Sequence, residues 1–227
     1  MKKHPVLLLS IFLLTATALQ AEEVIFNPPF EENVKNTARV GGASRGVGKE
    51  EVSLRAIEPI LTGLTLKEQP TLYWYISDIK NANVELTLTV DETISVEPVL
   101  EKQLTSPGEA GIYSIDLKEH NIKLKQGVDY FWAVSIIIDP NQRSKDIITG
   151  GGLKFINAPA ELATKLRNAK KDDRFSILAR NGIWYDAIEE ISRNIKAQPL
   201  NKALRDQRAS LLSQMKITEA ADYDKKR

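Results

Sequence analysis

The glycine-rich stretch at residues 41–51, GGASRGVGKEE, has the composition of a phosphate-binding loop. Such a loop follows the pattern G-x-x-x-x-G-K-[ST], which gathers backbone amides around a phosphate and adds a hydroxyl that binds a metal. Gly48 and Lys49 fit this pattern, but Ala43 takes the place of the first glycine and Glu50 takes the place of the hydroxyl. The stretch therefore predicts a flexible linker, and we expect no nucleotide cofactor.

The side chains that carry most metal and acid–base chemistry are scarce. The sequence has two histidines, His4 and His120, and no cysteine. Thiolate and multi-histidine metal sites are therefore excluded. A serine nucleophile would depend on His120, and no serine lies in a G-x-S-x-G turn. We expect His120 at the surface, no metal, no catalytic residue, and a protein that is not an enzyme.

Carboxylates leave one route to catalysis open. The chain has 30 Asp and Glu residues, and glycoside hydrolysis needs two carboxylates that face each other across a cleft. Sequence spacing does not place two carboxylates in that way. A carboxylate-dependent hydrolase is therefore an alternative, and an open cleft with two close carboxylates would support it.

The residues that we predict to contact a partner are four aromatic side chains and one arginine. Tyr73 and Tyr75 lie on one side of a strand pattern, and Trp184 and Tyr185 begin a helix pattern. Aromatic side chains combine a large apolar surface with a polar group, which suits contacts with proteins and sugars. Arg45, in the glycine-rich stretch, is the fifth candidate.

From Thr71 onward the pattern is that of short strands separated by turns. Leu72, Trp74 and Ile76 alternate with polar or tyrosine positions, as in a strand with two distinct faces. Further strands are predicted at residues 84–90, 97–104, 111–116, 130–138 and 153–156. Without helices between them, these strands favour an antiparallel β-sandwich, immunoglobulin-like or fibronectin-like. Trp74 and Trp132 are then core residues from opposing sheets.

After Pro159 the spacing of apolar residues becomes that of amphipathic helices. Gly182 and Pro199 lie where helix ends are expected. We predict a bundle of three to four α-helices whose apolar faces pack on one another or on the sandwich, followed by a frayed charged tail. The fold class is therefore α+β, with the sandwich at the N-terminal side and the helices at the C-terminal side.

The first residues have the layout of a bacterial secretory signal peptide. Lys2 and Lys3 precede the apolar run Val6–Leu14, and small residues follow this run. Cleavage after Ala21 fits the acidic residues that come next, and cleavage after Ala18 is the alternative. The run is about half of the roughly 20 residues that a membrane span requires. We expect an exported protein, periplasmic or secreted, with no stable membrane span after cleavage.

The charge balance argues against nucleic acid as a partner. Loss of Lys2 and Lys3 from 31 basic residues leaves 29 against 30 acidic ones, a net charge of −1. Affinity for nucleic acid comes chiefly from clustered Lys and Arg side chains.

The predicted segments are a signal peptide at 1–21, an extended arm at 22–53, the sandwich at 54–157, the helices at 158–217 and the tail at 218–227.

Five stretches together resemble one bacterial family, the domain of unknown function numbered 928. They are Gly41–Gly46, Pro70–Ile76, Gly111–Tyr113, Gly127–Trp132 and Asn181–Ala187. The resemblance covers nearly the whole mature chain. It implies an exported protein with no catalytic residues that can be carried over.

The helices also resemble the second half of one tetratricopeptide repeat. The residues at that spacing are Leu178, Gly182, Trp184, Ala187, Ile188 and Pro199. One such unit is visible, whereas a freestanding array needs about three. The helical hairpin is therefore either a cap on the sandwich or a groove that takes a peptide of a partner.

The combined pattern favours a noncatalytic binding or adaptor protein of the cell envelope. Its expected partner is another envelope protein, engaged by loops or by the helical hairpin. The alternative is a module that binds carbohydrate or cell-wall glycan through exposed tyrosines such as Tyr73, Tyr75 or Tyr113.

Overall fold

The structure is a computed structural model that describes residues 24–29, 44–47, 50–77, 85–92, 97–105 and 108–227. The predicted signal peptide at 1–21 lies outside these residues. The described residues form nine strands followed by five α-helices. This order confirms the mixed α+β class, with strands first and helices last.

The strands form two small sheets. The four-stranded sheet has the order β1-β2-β4-β7, with β1 (Ser44–Val47), β2 (Glu50–Ala56), β4 (Thr71–Ile76) and β7 (Gly111–Asp116). The five-stranded sheet has the order β3-β9-β8-β5-β6, with β3 (Gly63–Thr65), β5 (Glu85–Glu92), β6 (Leu100–Leu104), β8 (Asp129–Ile137) and β9 (Ile147–Phe155). The prediction was an antiparallel arrangement throughout. In the structure, β3 pairs with β9 in parallel.

Three described strands fall on segments that the sequence pattern left as linker or irregular. Strands β1 and β2 form a hairpin where a flexible arm was expected, and the short β3 was not predicted. Strand β9 also begins earlier than expected, because its glycines resemble a loop. A Cβ atom at Gly151 would overlap the carboxylate of Glu58, and one at Gly150 would overlap the Trp132 carbonyl. These glycines therefore allow the close packing of β9.

Strands of both sheets contribute side chains to the core. Leu72, Trp74 and Ile76 are buried on one face of β4, and Trp132 is fully buried on β8. Since β4 and β8 belong to different sheets, the predicted core positions of the two tryptophans are confirmed. A hydrogen bond of 3.0 Å from the Ala56 N–H to the Thr149 hydroxyl joins β2 to β9 across the sheets.

The helices begin and end close to the predicted signals. They are α1 (Ala160–Asn168), α2 (Arg174–Arg180), α3 (Trp184–Ala197), α4 (Lys202–Gln214) and α5 (Thr218–Lys225). Gly182 follows α2 with a φ of 76°, a left-handed conformation that glycine adopts without strain. Pro199 follows α3. Within the described part of the chain, none of the helices combines the length and the apolar character that crossing a membrane requires.

The prediction of a frayed tail at 218–227 is wrong, because most of these residues form the helix α5. Ala220, Ala221 and Asp224 are buried on one side of it. With Ile217 they have helical spacing, but the charge of Asp224 hides the apolar pattern. The Arg55 Nε donates to the Glu219 Oε1 at 2.9 Å and ties α5 to β2.

The helices pack on the sheets and share one core with them. Helix α3 contacts β3 and β4, and α5 contacts β2 and β7. Buried residues from both sheets and from all five helices form one continuous cluster. The predicted boundary near residue 157 therefore separates two kinds of secondary structure without separating two cores.

Candidate functional site

Trp184 and Tyr185 are buried at the junction of α3 with the sheets. Both side chains are at most 1% exposed. The Trp184 Nε1 donates to the Ile57 carbonyl at 3.1 Å. The Trp132 Nε1 donates to the Tyr185 hydroxyl at 2.8 Å, and this hydroxyl donates to the Gly152 carbonyl at 2.8 Å. We call these side chains the aromatic junction; in this structure they are buried.

The remaining predicted contacts have different positions. Tyr75 is buried, with its ring 5.7 Å from that of Tyr223 on α5. Arg45 lies in β1, and its side chain is outside the described part of the structure. Tyr73 is half-buried. Of the five predicted contact residues, Tyr73 is the one that the structure places in an open groove.

This groove lies between the four-stranded sheet and helices α3, α4 and α5. It has a volume of about 620 Å³. Its lining includes five cationic side chains, which are Arg193, Lys196, Arg205, Arg208 and Arg227. We call it the cationic groove.

Strand alternation places the polar wall of the cationic groove. Side chains of a strand point alternately to the two faces of a sheet, so Thr71 and Tyr73 face the helices while Leu72 and Trp74 face the core. On the neighbouring strand, Ser114 is the partner of Tyr73 in the β4–β7 register. The sheet thus contributes hydroxyl groups to the groove.

Helical spacing places the cationic wall. Arg193 and Lys196 are three residues apart on α3, and Arg205 and Arg208 are three residues apart on α4. Residues at this spacing lie on the same side of a helix. These residues were not predicted from the sequence, although two basic pairs at this spacing on consecutive helices are a recognisable signal.

The groove concentrates positive charge on a nearly neutral chain. Its lining has five cationic side chains against two acidic ones, Asp116 and Glu189. Asp224, buried behind Arg208, offsets one more positive charge. Lys196 and Arg227 are exposed. The surplus therefore lies at the open side, where an anionic group can approach.

A buried ion pair forms the floor of the groove. The Arg208 Nε and Nη2 donate to the two carboxylate oxygens of Asp224 at 2.6 and 2.7 Å. The Arg208 Nη1 also donates to the Ser192 hydroxyl at 2.9 Å. Two parallel bonds hold the guanidinium in one orientation. The floor is therefore rigid, and it joins α3, α4 and α5.

Tyr73 extends this network to the sheet. Its hydroxyl is hydrogen-bonded to Ser192. Burial is the main reason that the pKa of Tyr73 is raised to about 12, and the charge of Glu189 raises it further. The phenol therefore keeps its proton at neutral pH and remains a hydrogen-bond donor.

Two acidic side chains of α3, Glu189 and Glu190, are engaged in ion pairs. Glu189 lies 2.6 Å from the Lys67 Nζ and 2.7 Å from the Arg193 Nη2. Glu190 lies 3.5 Å from the Arg193 Nη1 and 3.8 Å from the Arg174 Nε. These pairs hold Arg193 along the rim of the groove.

A family model describes most of this chain. The model of the Domain of Unknown Function (DUF928) matches residues 40–224. The chain belongs to this family. The DUF928 match includes all five helices except the end of α5, and it includes every lining residue of the cationic groove except Arg227.

Other comparisons add little to the DUF928 assignment. No curated protein matches the sequence. Among solved structures, the chain is similar to Astrotactin-2, a conserved vertebrate-specific and perforin-like membrane protein involved in neuronal development. The identity is 10%, the TM-score is 0.30, and the alignment covers 77% of this chain and 33% of that chain. So distant a likeness carries no functional argument.

Proposed function

We propose that this DUF928 protein is a noncatalytic binding protein of the cell envelope, and that its cationic groove takes an acidic segment of another envelope protein. The carrying observation is the five cationic side chains that line one open groove. Arginine binds carboxylates through pairs of parallel hydrogen bonds, which gives both affinity and orientation. An acidic peptide is the ligand that complements this surface.

The fixed donors of the groove support binding of an extended acidic segment. Arg208 is held by Asp224, and Tyr73 keeps its proton. Preorganised donors reduce the ordering cost of binding. Exposed Lys196 and half-buried Arg205 can then pair with side-chain carboxylates of the segment.

The state of the carboxylates favours binding over hydrolysis. A hydrolase would need two carboxylates free to face a substrate across the cleft. Glu189 is held between Lys67 and Arg193 instead. We therefore propose a noncatalytic role.

Reversal of one exposed charge tests this proposal. Lys196→Glu changes the rim of the groove without altering a buried contact, and Lys145→Glu is the matched control at an exposed position away from the groove. A fluorescently labelled peptide of alternating Asp and Gly residues serves as the probe, with fluorescence polarisation as the readout. We expect Lys196→Glu to weaken binding about tenfold at low salt, since exposed pairs are screened by salt. Equal binding by both variants would overturn the proposal.

A carbohydrate ligand is the second candidate. Tyr73 and Tyr223 line the same groove as Thr71 and Ser114, and aromatic rings with nearby hydroxyls suit sugar rings. Retention on peptidoglycan or on a glycan array that is lost in Tyr223→Ala would favour this function over the protein-binding one. No retention of the unaltered protein would exclude it.

The proposed location and fold details rest on the sequence pattern. The charged, apolar and small-residue order of residues 1–21 supports export to the periplasm or beyond. We interpret the two sheets as an immunoglobulin-like or fibronectin-like sandwich. The spacing of Gly182, Ala187 and Pro199 supports a tetratricopeptide-like hairpin, which packs on the sheets as a cap.

A further inference from the structure

Helices α2, α3 and α4 hold an extended segment of the chain itself. Residues 24–29, VIFNPP, lie along α2, α3 and α4 without belonging to either sheet. We call this segment the N-terminal strap. Val24 and Phe26 are 2% and 5% exposed, whereas Ile25 between them is 50% exposed. The strap therefore places alternate side chains into the helical surface, as a bound peptide does.

Gln214 holds the backbone of the strap. Its amide nitrogen donates to the Val24 carbonyl at 2.8 Å, and its amide oxygen accepts from the Phe26 N–H at 2.9 Å. One side-chain amide thus bonds the carbonyl and the N–H of alternate residues, as a neighbouring strand would. Such contacts recognise extended backbone regardless of side chain.

Contacts at α2 and α3 add specificity. The Phe26 ring meets the Trp184 ring edge to face at 4.9 Å. The Asn27 N–H donates to the Ala179 carbonyl and the Asn27 side chain to the Arg180 carbonyl, both at 3.1 Å. These carbonyls are at the end of α2, where the last carbonyls have no N–H of a further helical turn. The Ala179 carbonyl also accepts from the Gly182 N–H at 3.1 Å.

Gly182 allows the strap to come close. A Cβ atom at this position would lie 2.9 Å from the Asn27 carbonyl oxygen and from the Pro29 ring. A cavity of about 310 Å³, lined in part by residues of α2 and α4, adjoins Val24.

We propose that the surface of α2, α3 and α4 is a peptide-binding site, occupied in this chain by its own strap. Its ligand is an extended segment of another protein with an aliphatic residue, any residue, an aromatic residue and asparagine in succession. A tethered ligand competes at an effective concentration in the millimolar range. The strap therefore limits access to segments that outcompete it. This site is independent of the cationic groove and of the function proposed for it.

The test compares two neighbouring positions of the strap in the full-length protein. Phe26→Asp puts a charge into the contact between the strap and the helices and releases the strap. Ile25→Asp puts the same charge on the exposed side of the strap. The probe is a labelled peptide with the sequence of residues 22–30, measured by fluorescence polarisation. We expect the Phe26→Asp protein to bind this peptide at least tenfold more tightly than the unaltered and Ile25→Asp proteins.

The same substitutions in the peptide provide the reciprocal control. The peptide with Ile25→Asp should still bind the released protein, and the peptide with Phe26→Asp should lose binding at least tenfold. Gln214→Ala in the released protein should weaken binding about tenfold, because both backbone bonds are lost. A folded Phe26→Asp protein that binds no peptide up to about 1 mM would overturn the proposal.

A second measurement covers the case in which Phe26→Asp does not fold. A protease site inserted between residues 30 and 43 allows the connection to be cut after folding. We expect the cut strap to exchange with labelled peptide while near-ultraviolet circular dichroism stays constant. Retention of the strap against excess peptide, or unfolding on its loss, would show a purely structural segment and overturn the proposal. Dimerisation of the cut protein without peptide binding would also overturn the proposal, and would indicate that this surface binds a second copy of the chain.

Discussion

The aromatic junction and the cationic groove both use helix α3, but in opposite ways. The junction takes Trp184 and Tyr185 from the first turn and buries them against the sheets. The cationic groove is lined by Arg193 and Lys196, which lie in the last turns of α3 and are exposed. Aromatic side chains here stabilise the fold, whereas charged and hydroxyl side chains form the open surface. Residue type alone is therefore a poor guide to a binding site in this protein.

The largest expected effect that tests this contrast is at the junction. Trp184→Ala removes a fully buried ring and its hydrogen bond to Ile57. We expect a loss of about 3–5 kcal/mol in the free energy of unfolding, measured in urea. Leu200→Ala, at a position 97% exposed, is the control and should leave stability unchanged. Equal stability of the two variants would erase the distinction between the regions.

The floor of the groove should behave like the junction and unlike the rim. Arg208→Ala leaves the buried carboxylate of Asp224 without its main partner. We expect a loss of about 3–5 kcal/mol, because a buried unpaired charge is strongly destabilising. Addition of Asp224→Leu should recover part of this loss in urea unfolding. If Arg208→Ala alone were as stable as the unaltered protein, the Arg208–Asp224 pair would not form a rigid floor of the groove.

A smaller effect is expected from one hydroxyl of the junction. Tyr185→Phe keeps the ring but leaves the Trp132 N–H and the Gly152 carbonyl without this partner. We expect a loss of about 1–3 kcal/mol in the free energy of unfolding. Tyr113→Phe, which removes an exposed bond to Glu109, should cost less than about 0.5 kcal/mol. An equal loss of unfolding free energy in Tyr185→Phe and Tyr113→Phe would contradict the greater contribution of the buried hydroxyl.

The smallest expected effect concerns the pair that ties α5 to β2. Burial opposes ionisation of Glu219, but the hydrogen bond and the charge of Arg55, with the hydrogen bonds from backbone and from Thr218, together outweigh it, so the pKa of Glu219 is lowered from its ordinary value of 4.5. A lowered pKa contributes stability above the unfolded-state value, and this contribution is lost as the pH falls through the folded-state value. Glu219→Gln should therefore cost about 0.2–1 kcal/mol at pH 7, and the difference should shrink as the pH falls below 4.5. A difference that is constant with pH would exclude an ionic contribution.

Local periodicity predicted the strands that alternate and the helices that are amphipathic. Strand β7 has the predicted bounds, and the ends of α2 and α3 agree with Gly182 and Pro199. Strand β9 was predicted too short, because its glycines are required by contacts with Glu58 and Trp132 that are distant in sequence. Local patterns do not contain such contacts.

The candidate site was harder to predict than the fold. Tyr73 was predicted because strand alternation separates it from Trp74. The cationic side chains were missed because their significance depends on α3, α4 and α5 meeting over one sheet. The strap was missed because an alternating segment that binds helices has no periodic signal of its own, and Gln214 lies far from it in sequence.

The bond between Phe26 and Gln214 also orders the events of folding. It joins residues separated by 188 positions, so one of the earliest described segments is secured by a helix near the end of the chain. Closing a longer loop costs more entropy, and the cost is offset only when the distant contact forms. The strap is therefore expected to dock late, after α4 has folded, so its docking completes the packing of the helices around Phe26.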